Sequence, residues 1–374
     1  MPQLTPVNGT GNFTDFLANG AEGALMMVYH PNLLSASVNY KNYRESYAGG
    51  NYQTVFANVN ELYQQFGGGI EKHINGIRRF SHYIHNNTTS KPKGLYLMGK
   101  GIREANYNAF LNDGPGTRKN PSRFHQCLIP SFGEPSSDVF ITSNLEGSSE
   151  WTPLIGTGRI SAKTNQELQD YLDKVIEYEV EQDSTDVYDS PSKDWQKQII
   201  HFTGGIGALQ QMTFSSYMNQ MKSRIEDTLF GGKVHSLYKT DSAPLTPSEL
   251  DDVMDRINDG VSLITYFGHS LSTSSGFEIN IDEVTNWSNQ GKYPLMLVNS
   301  CYNGNIFQVT TSNSEEFVQI PNKGAIAYIA SIRQGFASFL KNYSYEMYKQ
   351  MSQVNYGATS VSYTHLTLPT NREV

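Results

Sequence analysis

Two hydrophobic periods alternate along the chain. Short dense apolar runs read as buried strands, such as ALMMVYH at 24–30, bounded by Gly23 and Pro31. Between them, apolar positions return every three or four residues, the spacing of a helix with one buried face. In the first half, helices are expected at 33–48, with Leu34, Val38 and Tyr47 on one face, and at 70–86, with Ile70, Ile74, Ile77 and Tyr83 or Ile84 inward. Strands are expected at 52–59 and 94–101. After a polar loop at 102–135 come SDVFITS and PLIGTGRIS, then a helix at 165–179.

Residues 181–194 are acidic and Ser-rich and read as a linker between lobes. The alternation then restarts. QIIHFTGG (198–205) reads as a strand, 211–232 as a helix closed by Gly231-Gly232, and KVHSLYK as a strand. Residues 246–260 carry a full set of helix signals: Thr246 as cap, Pro247 at the first position, Glu249 completing a capping box and Gly260 as the stop. VSLITYFG and PLMLVNS are strands flanking a short helix, IDEVTNWSNQG, and KGAIAYIAS at 323–331 is a further strand.

Strands alternating with helices imply a mainly parallel sheet covered on both faces. The pattern occurs twice, so the fold class is α/β, with two lobes side by side: 23–185 and 195–357. Residues 1–22, rich in Gly, Asn and Thr, read as a linker. The last stretch, SVSYTHLTLPTNREV at 360–374, has no helical period. It is similar to a translated sequencing-adapter tail, so it is read as non-native and set aside.

Charge and composition narrow the function. A net charge of −8 with no basic cluster argues against a nucleic-acid groove. No run reaches the roughly 18 apolar residues that a membrane span needs. The start has no signal-peptide pattern, which leaves a cytoplasmic protein or an internal piece of an exported one. Low charge, 23 Tyr and 32 Gly favour the exported piece. The two cysteines, Cys127 and Cys301, allow one disulfide and no framework.

LITYFGHSLS places His269 just past one apolar run, and PLMLVNSCYNGN places Cys301 just past the next. Ligands and catalysis collect beyond the carboxyl ends of parallel strands. One crossover separates these two, so they can be neighbours, with an imidazole and a thiol at one rim. Taken singly, such a cysteine is more often a small buried hydrophobe and such a histidine structural. Together they suit acyl transfer. The thiolate attacks a carbonyl, the histidine moves protons, and the backbone N–H groups of Ser270 and Cys301 are candidates for holding the oxyanion. His82 and His85 are expected on a polar helix face, solvated. HFTGG at 201–205 reads as a strand end and not as a metal site. Cys127 has no evident partner, and GKG at 99–101 is too short for a phosphate loop.

SLITYFGHS with NIDEVTNWSNQGKYPLMLVNSCYNG resembles the catalytic block of the gingipain-type cysteine peptidases, a family that includes the sortase of the type IX secretion system. The similarity continues through EEFVQIPNKGAIAYIASIRQGFAS. Upstream it takes in SSDVFIT, IGTGRISAKTNQELQDYLDKVIEYE, YHPNLLSASVNYKNYRES, LYQQFGGGI and KPKGLYLMGKG, about residues 24–350 in all. The resemblance implies a caspase-like fold with the dyad on the second lobe, His269 as the catalytic histidine and Cys301 as the nucleophile. It implies no required cofactor, leaves calcium as an option without marking a loop for it, and implies protein or peptide substrates. It also implies an exported or cell-surface bacterial protein, with type IX secretion components as partners. The acyl-enzyme would be resolved by water in a peptidase or by an amine in a transpeptidase.

The departures matter too. The family's Gly-His-Gly is Gly-His-Ser here, its acid before the Gly-Gly pair is Thr203, and Lys100 stands where many relatives have Asp. These motivate a rival reading, an inactive scaffold of the same fold. The family's arginine-reading carboxylate falls near Phe214. A pocket built from Gly204, Gly205, Phe214 and the lid-like Phe336 would hold no counter-charge for Arg or Lys.

Overall fold

The computed structural model describes residues 3–18, 20–104, 117–145, 152–183, 191–238, 247–270 and 284–357. The chain divides into two compact units, residues 1–169 with 306–310 and residues 170–305 with 311–374.

The first unit runs β1 (Leu25–Tyr29), α1 (Leu34–Glu45), β2 (Thr54–Asn58), α2 (Val59–Gln65), α3 (Ile74–Asn86), β3 (Gly94–Met98), α4 (Pro121–Gln126), α5 (Val139–Thr142) and β4 (Thr157–Ile160). Its sheet has the order β2-β1-β3-β4, with every pair parallel. Met26, Val28, Val55, Ala57, Leu95 and Leu97 alternate onto one face and meet Ile77, Phe80 and Ile84 of α3. The N-terminal stretch is held on this unit: the buried Glu61 carboxylate accepts from Val7 N–H at 2.7 Å and Thr14 N–H at 3.1 Å, and Phe16 joins the core. The Arg159 guanidinium in β4 is bidentate to Asp138 at 2.8 and 2.7 Å and also donates to the Gly99 and Ile129 carbonyls.

Helix α6 (Asn165–Asp183) begins in the first unit and passes into the second. The second unit continues with β5 (Gln198–Thr203), α7 (Gly207–Ile225), β6 (Lys233–Tyr238), α8 (Pro247–Asp259), β7 (Leu263–Phe267), β8 (Leu295–Asn299), α9 (Asn313–Gln319), β9 (Ala327–Ala330) and α10 (Ala337–Lys349). The sheet order is β6-β5-β7-β8-β9, again parallel throughout. Strand alternation splits its side chains between two cores. Ile200, Phe202, Ile264, Tyr266, Met296 and Val298 face Val253 and Ile257 of α8 and Phe317 of α9. Ile199, Leu263, Phe267 and Leu297 face Phe214, Met218 and Met221 of α7 and Met347 and Tyr348 of α10.

Several local expectations are corrected. α1 buries the small residues Ala36 and Ser37 with Tyr40, while Leu34 and Tyr47 are exposed. Ile70 lies outside α3 and is exposed, and His85 is buried rather than solvated. α7 starts at Gly207, four residues before the expected 211, and ends at Ile225. Of the short helix expected between β7 and β8, only a single turn at Val284–Asn286 is seen, and 281–283 lie outside the described residues. So do Thr246 and the tail at 360–374.

Candidate active site

Strands β5, β7 and β8 end in register, Thr203 opposite Phe267 and Phe267 opposite Asn299. Each ladder runs one bond further: Gly204 N–H donates to the Phe267 carbonyl at 2.8 Å, and Gly268 N–H to the Asn299 carbonyl at 3.2 Å. His269 and Cys301 each sit two residues past these paired strand ends, so adjacent parallel strands deliver them to one edge of one sheet. The two turns are tied together, because the Ser270 hydroxyl donates to the Cys301 carbonyl. The Tyr266 hydroxyl donates to the His269 carbonyl at 2.7 Å.

After Cys301 the chain reverses sharply. Tyr302 adopts φ 61°, a left-handed conformation that costs a non-glycine residue about 1–2 kcal/mol. Its N–H donates to the Arg333 carbonyl at 2.9 Å, and Gly304 N–H to the Ser331 carbonyl at 2.9 Å. Gly304 is required here, since a Cβ would come within 2.5 Å of the Ala330 carbonyl oxygen. These bonds hold the turn against the segment that follows β9. That segment brings Gly335 to the thiol, where its N–H donates to Cys301 Sγ at 3.4 Å. Cys301 is free and partly exposed. Cys127 is also free but buried, its Sγ accepting from Ile102 N–H, and burial pushes its thiol up from the ordinary value.

The His269 ring is held on two sides. Its Nε2 lies 2.9 Å from Gln210 Oε1 at the start of α7, and the Phe214 ring lies 6.1 Å away, tilted by 54°. Phe214 is itself buried, 4.9 Å from the Phe267 ring. It supports the histidine from the core and is not an open pocket wall. Gly205, at φ 128°, is packed against the α7 backbone, where a Cβ would come within 3.0 Å of Gln211 N. Phe336 follows Gly335 directly and is 68% exposed, edge-on to Phe339 at 6.1 Å. Thr203 is buried, with no hydrogen-bond partner for its hydroxyl among the described residues. An open groove of about 680 Å³ runs along α7 past Met212, Asn219 and Tyr238, and neither His269 nor Cys301 lines it. No group of three or more His, Cys, Asp or Glu able to hold a metal occurs among the described residues.

The residues that sequence reasoning missed are Gln210, Gly335 and Tyr302. The first two carry no motif and reach the site only through the packing of α7 and the turn before α10. Tyr302 occupies a backbone conformation that its residue type does not announce.

Comparisons with known proteins bear on the family and the fold. The model of peptidase family C25 matches residues 19–368. Lys-gingipain W83 of Porphyromonas gingivalis is 24% identical over 186 residues, 49% of this chain and 10% of that protein. The crystal structure of the Arg specific cysteine proteinase gingipain R superposes with a TM-score of 0.64 at 15% identity, covering 92% of this chain and 72% of that one. The complex of pro- and mature domains of a Porphyromonas gingivalis gingipain gives 0.64 at 14% identity, over 92% and 73% of the two chains. The two-sheet architecture is thus the caspase-like fold of gingipain.

Proposed function

The chain belongs to peptidase family C25, and on that premise we propose that it is a cysteine peptidase with Cys301 as nucleophile and His269 as the proton-transfer group. The observation that carries this reading is the paired exit of the two residues from β7 and β8, with their turns joined by the Ser270–Cys301 hydrogen bond. His269 takes the thiol proton, and Sγ attacks the substrate carbonyl carbon. The carbonyl π electrons move to oxygen, where the Ser270 and Cys301 N–H groups are the proposed donors. The tetrahedral species collapses, the C–N bond breaks, and the amine leaves with the proton from His269. Water then attacks the thioester, His269 accepts its proton, and the acid product leaves with the thiol restored. An amine acceptor in place of water gives transpeptidation through the same acyl-enzyme.

The substrate class is a protein or peptide, met outside the cell. Among the described residues no helix is long and apolar enough to cross a membrane. Incubation with a peptide chloromethyl ketone, followed by peptide mapping, tests the reading. Adduct should form on Cys301, be lost in Cys301→Ala and fall at least a hundredfold in His269→Ala. Wild-type turnover retained by Cys301→Ala would refute the assignment.

A further inference from the structure

We propose that Gln210 is a positioning residue that fixes the tautomer of His269, putting the proton on Nε2 and leaving Nδ1 to take the thiol proton. The inference rests on two contacts to one oxygen. Gln210 Oε1 accepts from the Ile206 backbone N–H at 3.0 Å and lies 2.9 Å from His269 Nε2.

The first contact decides the orientation of the amide. A backbone N–H can only donate, so the Gln210 atom facing Ile206 must be the carbonyl oxygen and not the NH₂ group. That oxygen can only accept. The histidine nitrogen beside it must then be the donor, which assigns the ring proton to Nε2. In a neutral imidazole the other nitrogen, Nδ1, is the base.

The amide is held by the helix it sits on. Ile206 is the N-cap of α7, and no side chain of its own caps the helix. Gln210 reaches back to the N-cap N–H much as the glutamine of a capping box does. Gly205 and Gly207, both at positive φ, let the chain turn tightly enough for this. One side chain therefore closes the start of α7 and orients the histidine. Helix capping by itself would be a purely structural role. It predicts a change in stability on substitution and no change at the imidazole.

Gln210 differs from a carboxylate partner in one respect that matters. A neutral amide orients the ring without a full negative charge to stabilise the imidazolium.

The proposal rests on His269 being the proton-transfer group, and its test separates the two. The tautomer is read without substrate, from two-bond proton–nitrogen spectra of the ¹⁵N-histidine-labelled full chain, with the His269 signals assigned by their loss in His269→Ala. Wild type should show a protonated Nε2 and an unprotonated Nδ1. Gln210→Met, which keeps the length but has no acceptor, should give a mixture of tautomers. It should also lower kcat about tenfold, the value of one modest hydrogen bond, with KM within twofold. Gln210→Glu, which keeps an acceptor at that position, should restore the protonated Nε2 and kcat. A protonated Nδ1 in wild type, or identical ring spectra in wild type and Gln210→Met, overturns the positioning role even if Cys301 proves catalytic. Correct tautomers with an inactive Cys301 would instead sink the peptidase reading and leave the tautomer assignment standing.

Discussion

At the scale of the residue, a parallel sheet gives strand ends a fixed meaning, and adjacent strands place His269 and Cys301 at one sheet edge. An apolar run that stops at Gly-His or Ser-Cys points those side chains to the rim where ligands gather. The contact of Gln210 with His269 leaves no sequence mark, since it depends on where α7 starts, and the period of 211–232 gives no hint of the added turn. Phe214 was placed near a pocket by resemblance, yet its burial beneath the His269 ring makes it core. The two cysteines give a prediction at this scale. Cys301 is partly exposed with the Gly335 N–H on its sulfur, whereas Cys127 is buried at the end of α4 with its thiol pushed up. Iodoacetamide at neutral pH should label Cys301 at least tenfold faster in the folded protein, with the rates converging in urea. Equal rates in the folded state would mean that Cys301 has no special reactivity.

At the scale of the element, a stop glycine and strong periodicity are readable, as in α8, which starts at Pro247 and is stopped by Gly260 at φ 109°. α1 was read with the wrong face because close packing selected Ala36 and Ser37 over the larger Leu34. α10 escaped notice because its buried face includes Ser344 and Tyr348, which look polar in sequence. Helix α9 is only seven residues long, and its sole sequence mark is the capping box of Ser312 and Glu315. What secures α9 is remote in sequence. Lys174 of α6 is buried and donates to the carbonyls of Phe317 at 3.4 Å, Val318 at 2.9 Å and Ala325 at 3.0 Å. Two of these are carbonyls at the C-terminal end of α9, which the helix itself leaves unpaired. Burial pulls the Lys174 ammonium down to about 7, against the pull of Glu177. Its folded pKa therefore lies below the unfolded value of about 10.4, and the unfolded chain binds the extra proton between the two. Stability from this group should rise as pH increases from 7 towards 10. Lys174→Met should cost about 2–4 kcal/mol by stranding the Val318 and Ala325 carbonyls, since the Phe317 carbonyl keeps its bond from Ala325 N–H, and should lack that rise. Parallel urea-midpoint curves for the two proteins across pH 7–9.5 would show that the lysine is not desolvated.

At the scale of the whole molecule, the alternation of strand and helix was enough to read two parallel sheets, because parallel strands need crossovers and crossovers cover faces. The passage of α6 from one unit to the other, and the return of 306–310 to the first, left no mark in the pattern. They follow from tertiary contacts such as Arg103 N–H to the Phe307 carbonyl at 2.9 Å. Each unit also keeps a histidine neutral, and this sets how the molecule meets acid. In the first unit, His30 Nδ1 accepts from Asn32 N–H at 3.2 Å, and desolvation, then Lys72, lowers its pKa to about 4. In the second unit, His201 is fully buried on β5, 2.7 Å from the Tyr348 hydroxyl, and desolvation, then Lys222, lowers it to about 3. Both folded values lie below the ordinary 6.5, so the unfolded chain takes up protons first as pH falls. The stability these groups contribute is complete above about pH 6.5 and drains away from there towards pH 4. For His201 the loss approaches about 1.4 kcal/mol per pH unit within that window. His201→Gln with Tyr348→Phe, which removes both ends of the 2.7 Å contact and also the Thr265 hydroxyl's partner at 2.6 Å, should be less stable at pH 7 yet flatter between pH 6 and 4.5. Urea titrations at pH 7, 6, 5 and 4.5 measure both slopes. A double variant that loses stability with acid as steeply as wild type would place the acid sensitivity elsewhere, in the carboxylates.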